Sequence, residues 1–136
     1  MRNIVLDTNC LLVCISPKST YHSVWTAFLN ETFRLCVSNE IISEYEEILT
    51  LKTSPAFADI IIQIILNSEN VVYAHPTFRF NLITTDPDDN KFVDCAIVTN
   101  ADYIVTQDKH FNILKKIDFP KVNVVDIDTF KSILML

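Results

Sequence analysis

Apolar positions along this chain switch repeatedly between a period of two and a period of about 3.6 residues. Asn3–Leu6 is a short β-branched run and predicts a strand, with Asp7 at its end. Asn9–Ile15 predicts a short helix or turn, stopped by Ser16-Pro17. Thr20–Asn30 reads as a helix capped by Ser19 or Thr20, with Val24, Trp25, Phe28 and Leu29 on its apolar face. Phe33–Val37 is a second strand. Ser38 or Asn39 then caps a helix to about Lys52, and Pro55 opens another that carries Phe57, Ile60, Ile61, Ile64 and Ile65. Val71–Tyr73 is a third strand. A loop from His75 to Asp89 follows, with Pro76 and Asp86-Pro87 as breakers. Asn90–Thr99 reads as a helix that is apolar nearly all round. Tyr103–Thr106 is a fourth strand, His110–Lys116 a short helix, Val122–Val125 a fifth strand and Thr129–Leu136 a closing helix.

Five strands alternating with helices predict a single α/β domain over residues 1–136, built on a mainly parallel sheet. Right-handed crossovers place helices on both faces of such a sheet. Ligands then bind beyond the carboxyl ends of the strands, so acids at strand ends carry the most information.

Composition removes several functions. The chain has no glycine, where usage of roughly 7% would supply about ten. A phosphate loop, a dinucleotide-binding turn and a hydrolase nucleophile elbow all need glycine and are excluded. Left-handed turns must fall to asparagine, and Asn30, Asn67 and Asn100 stand where helices stop. No apolar run approaches the roughly 20 residues of a membrane span, and the N-terminus does not read as a signal peptide. The four cysteines are expected to be reduced thiols in a cytoplasmic protein. Cys10 and Cys14 are not spaced as a zinc knuckle. Net charge is −6, which argues against non-specific nucleic-acid binding.

The acids are not spread evenly. Six of the eleven aspartates fall between residues 86 and 108. Asp7 and Asp108 follow strands, where each could cap the next helix. Asp89 reads as the N-cap of the helix after it. Asp94 is the lone acid in the apolar stretch Phe92–Val98, and a buried charge needs a partner or a metal. Glu44 and Glu46 lie at the two edges of the apolar face of helix 39–52, and periodicity does not choose between them. Two carboxylates about 5 Å apart repel by roughly 3 kcal/mol at an effective dielectric of 20. Converging acids therefore call for a cation, and an all-oxygen cluster suits Mg²⁺ or Mn²⁺. Such an ion beside a phosphate supports phosphodiester hydrolysis.

Four segments in order complete the picture. They are Val5-Leu6-Asp7-Thr8-Asn9, Val37–Tyr45 containing Glu44, Asp86–Ala96, and Ala101–Asp108. Together they resemble the PIN-domain family, in the group of ribonuclease toxins from bacterial and archaeal toxin–antitoxin pairs. The resemblance implies a three-layer α/β/α fold with the first strand central. It implies that Asp7, Glu44, Asp94 and Asp108 are the metal-binding and catalytic acids, which resolves the choice between Glu44 and Glu46, and that Asp89 is a further metal-binding acid. Asn9 and Thr106 match polar residues beside the site. Lys109, His110, Lys115 and Lys116 are the nearest basic candidates for RNA contact. An RNA substrate, an antitoxin partner and a homodimer are implied as well. Gln107 departs from the pattern, since relatives usually carry glycine or an arginine-like residue there.

Two other enzyme classes fit less well. A haloacid-dehalogenase-type phosphatase needs Asp-x-Asp after the first strand, and here the third residue is Asn9. A receiver domain needs adjacent acids near the N-terminus, and there are none. A catalytically silent PIN-fold module that acts through a protein partner is the alternative function. His22, His75 and His110 lie in unlike contexts and are not expected to be catalytic, and the aromatic residues are expected in the core.

Overall fold

A computed structural model describes residues 1–136. The strands are β1 (Asn3–Leu6), β2 (Arg34–Val37), β3 (Val71–Tyr73), β4 (Tyr103–Val105) and β5 (Val124–Val125). The helices are α1 (Thr8–Ile15), α2 (His22–Leu29), α3 (Asn39–Lys52), α4 (Pro55–Asn67), α5 (Asn90–Val98) and α6 (Ile127–Ile133). Two 3₁₀ segments, Pro87–Asp89 and Lys109–Lys116, lie before and after the α5–β4 unit.

The sheet is parallel throughout, in the order β3-β2-β1-β4-β5, so β1 is central as expected. Ile4 and Val5 are fully buried in it, which explains the uninterrupted apolar run. Thirty-five buried apolar residues form one continuous core, and the four cysteines lie in it as free thiols. No helix is long and apolar enough to cross a membrane.

Local chemistry sets most boundaries. Ser38 caps α3 by accepting the Ile41 N–H, and Ser54 caps α4 by accepting the Phe57 N–H at 3.1 Å, with Pro55 in the first turn. Some expectations shift. Helix α2 begins at His22, because Ser19 folds a turn of its own by accepting the Tyr21 N–H. Helix α6 begins at Ile127, because the Asp126 side chain accepts the Thr129 N–H at 2.7 Å. Of the three asparagines expected in left-handed turns only Asn100 is, with φ of 52°. After Asn30 the left-handed residue is Glu31, and Asn67 ends α4 without one.

Candidate metal centre

The chain leaves β1 towards β2 and β3, then returns across the sheet to β4. The topological switch therefore lies at β1, between β2 and β4. A ligand in an open parallel sheet belongs outside the carboxyl ends of the strands at such a point. Asp7 is the first residue beyond β1, and Asp108 lies just beyond β4.

Thr106 joins these two. Its hydroxyl donates to Asp7 Oδ2 at 2.7 Å and accepts the Asp108 backbone N–H at 3.0 Å. Asp7 is buried, which pushes its carboxyl pKa up; Thr106 opposes the shift, while Glu44 and Asp108 add to it. Glu44 comes from α3. Its neighbour Tyr45 is fully buried, and the Tyr45 hydroxyl donates to the Leu6 carbonyl at 2.5 Å. The residues next to Glu44 and Asp7 are thus hydrogen-bonded to each other. The Thr8 hydroxyl donates to Glu44 Oε2, and Lys91 Nζ stands 2.8 Å from Oε1.

Asp89 ends the 3₁₀ turn before α5. It stands in the N-cap position, yet its side chain caps nothing. The turn already supplies acceptors, since the Asn90 N–H bonds back to the Pro87 carbonyl. Asn90 is buried and exchanges two hydrogen bonds with the Ile83 backbone, at 2.9 and 2.8 Å, which fixes the loop against the start of α5. Asp89 Oδ2 is left buried without a hydrogen-bond partner. Burial, then Asp86, Asp108 and Asp7, push the Asp89 carboxyl pKa up to about 6.

His110 faces the same point. Its Nδ1 lies 3.3 Å from Asp108 Oδ1, 3.5 Å from Asp89 Oδ2 without hydrogen-bonding geometry, and 3.9 Å from Asp86 Oδ2. Ligand atoms of Asp86, Asp89 and His110 all lie within 4.8 Å of one another. Sequence reasoning passed over Asp86 and gave His110 no part beside the acids. Spacing held the signal for Asp86: residues three apart on a helical turn share a face, as Asp86 and Asp89 do around Pro87.

Asp94, also expected among the ligands, makes its polar contact elsewhere. It lies five residues after Asp89, a rotation of about 140° around a helix. Its Oδ1 accepts the Phe80 N–H at 3.2 Å, and the charges acting on it are Arg79 and Glu40. Burial raises its carboxyl pKa, and the Phe80 hydrogen bond and Arg79 oppose that rise. The buried charge that suggested a metal is met by a backbone N–H.

The remaining residues surround this group. Asn9 is exposed on the first turn of α1. Lys109 and Lys115, with Thr106, Asp108, Asn112 and Asp126, line a hollow of about 240 Å³. Lys116 is exposed and is not among its lining residues. Gln107 has a structural use, since its Oε1 accepts the Ile127 N–H at 3.0 Å and anchors the start of α6.

The donors suit a hard divalent cation. They are carboxylate oxygens with the His110 imidazole beside them, one oxygen is buried without a hydrogen bond, and burial followed by neighbouring acids raises the Asp89 pKa.

The fold has known counterparts. The chain is similar to VapBC from Salmonella typhimurium in its DNA-bound crystal structure, with 18% identity, a TM-score of 0.64, and coverage of 93% of this chain and 99% of that one. It is similar to VapBC2 from Rickettsia felis bound to a promoter DNA fragment, with 17% identity, a TM-score of 0.62, and coverage of 91% and 98%. It is also similar to VapC20 from Mycobacterium tuberculosis, a sarcin-ricin loop cleaving toxin, with 15% identity, a TM-score of 0.59, and coverage of 80% and 92%. No curated protein matches by sequence. The PIN domain family model matches residues 3–110, and this chain belongs to the PIN-domain family.

Proposed function

We propose that this chain is a metal-dependent endoribonuclease and the toxin of a toxin–antitoxin pair. The observation that carries the reading is Asp89 Oδ2, buried without a hydrogen bond among Asp7, Asp86 and Asp108, with the His110 imidazole 3.5 Å away. Asp7, Asp89 and Asp108 would hold Mg²⁺ or Mn²⁺, with Glu44 at the edge and Asp86 and His110 beside them. When bound, the ion would make a water nucleophilic near neutral pH and neutralise charge on the phosphate.

The chain's own residues supply the rest. Thr106 keeps Asp7 and Asp108 in register through one hydroxyl. Asn90 fixes the backbone that presents Asp89. Lys109 and Lys115 line the hollow beyond Asp108, where they can meet RNA phosphates. Single-stranded or looped RNA is the fitting substrate, because an A-form duplex hides its base edges. With net charge −6, binding should weaken steeply as salt rises only to the extent that those few lysines carry it.

The fold likeness to toxins solved in VapBC complexes supports an antitoxin partner. An apolar cleft of about 330 Å³, lined by Leu12, Ile15, Pro17 and Phe57 among others, supports a protein as that partner. Four reduced thiols support a cytoplasmic setting.

The test is cleavage of a labelled single-stranded RNA by the purified chain, with Mg²⁺ or Mn²⁺ and then with EDTA. Metal-dependent cleavage that disappears in Asp89→Asn is expected. RNA left intact at saturating Mn²⁺ would return the chain to the silent binding module.

A further inference from the structure

Lys91 is a buried ammonium beside the acids. It lies in the first turn of α5, and its side chain is 7% exposed. Its Nζ stands 2.8 Å from Glu44 Oε1, 2.9 Å from Asp88 Oδ2 and 3.0 Å from the Asp88 carbonyl. An ammonium has three protons to donate, and these three acceptors match them. Buried lysines are rare unless paired in this way.

The pairing divides the acids. Both oxygens of Glu44 are held by the chain itself, one by Lys91 and the other by the Thr8 hydroxyl. Around Asp89, by contrast, no lysine or arginine stands within ion-pair distance. Glu44 also faces an open groove of about 530 Å³, together with Glu40, Glu47, Asp88 and Asn39. Lys91 is the cation that lines this groove. Remove its charge, and several carboxylates face an open space wide enough for a hydrated ion.

We propose that Lys91 is a built-in cation that fixes Glu44 and limits the centre to a single divalent ion. The proposal rests on the reading of Asp7, Asp89 and Asp108 as a metal centre. It assigns this chain to one-ion phosphodiester chemistry, in which Lys91 supplies the positive charge on the Glu44 side that a second ion supplies in two-metal sites. Lys91 is a positioning residue here, since it acts through Glu44.

Metal-free protein is titrated with Mn²⁺, with the free ion read by electron paramagnetic resonance and the heat by calorimetry. Wild type should bind one ion per chain. Lys91→Met should bind a second, and Lys91→Arg should return to one. A merely structural role would leave the ion count at one in all three. Two ions of like affinity on wild type would overturn this proposal alone. One ion with unchanged affinity on folded Lys91→Met would do the same. No ion on wild type would overturn the metal reading itself, and this proposal with it. If circular dichroism shows Lys91→Met unfolded, Lys91→Gln replaces it, and the wild-type count still decides.

Discussion

Asp89 and Asp94 stand five residues apart at the start and middle of one helix, and they are held by opposite means. Asp94 is 2% exposed, and its Oδ1 accepts the Phe80 N–H. Asp89 opens onto other carboxylates and keeps one oxygen without a hydrogen bond. Burial raises the pKa of both, yet only Asp89 is pushed further by Asp7 and Asp108. A buried charge alone is therefore a poor guide to a metal ligand. What separates the two is whether the protein itself has answered the charge.

The sharpest way to break this contrast is activity. Asp89→Asn should lower the initial rate of RNA cleavage by about 10³-fold, the scale of losing one preorganised electrostatic group. Asp94→Asn keeps an oxygen for the Phe80 N–H and should change the rate by less than about threefold, since no electrostatic group at the centre is lost. Equal losses in the two variants would end the distinction.

Metal linkage comes next. At a Mg²⁺ concentration of 100 times Kd, wild type should gain about 2.7 kcal/mol, read as a rise in melting temperature. Asp94→Asn should show the same rise, and Asp89→Asn little or none. Asp94→Ala probes the other half of the contrast. It removes the acceptor of the part-buried Phe80 N–H and should lose about 1 kcal/mol in urea melts. Asp89→Asn should be as stable as metal-free wild type or more so, because it relieves repulsion.

The smallest effect is in pH. The Asp89 carboxyl pKa is raised in the folded state to about 6, above the roughly 3.9 of an unfolded aspartate. The stability this contributes is fully present below the unfolded value and is lost as pH rises through about 6. The metal-free melting temperature should therefore fall between about pH 4 and 7 by more in wild type than in Asp89→Asn. Mg²⁺ must displace the same proton, so its stabilising effect should grow over that range. Melts at half-unit steps with and without Mg²⁺ check both trends.

Much of this was legible in the residue pattern. The β-branched runs and the serine and proline caps placed the sheet and helices α3 and α4, because each is settled by neighbours in sequence. Asp7 and Asp108 were legible as strand-end acids for the same reason. The partner of Asp94 was not legible, because it is a backbone N–H fourteen residues away in a loop, and no side-chain pattern announces that. His110 was read only as an RNA contact and Lys91 was given no role, because the place of each beside the acids depends on which segments meet across the sheet edge. Phe78 was expected in the core and is 64% exposed, packed edge-on against Phe80 in the same loop.

The hydrogen bond from the Tyr45 hydroxyl to the Leu6 carbonyl has an evolutionary consequence. It joins the residue beside Glu44 to the residue beside Asp7, inside the core and across 39 positions of sequence. Drift in the surrounding helices cannot separate those two acids without also breaking a buried contact that folding needs. Selection for a stable fold therefore preserves the spacing of the acids even in a lineage that has stopped using them. On the proposed reading, a silent descendant of this chain would differ by exchange of the acids themselves, with the frame that spaces Asp7 and Glu44 left intact.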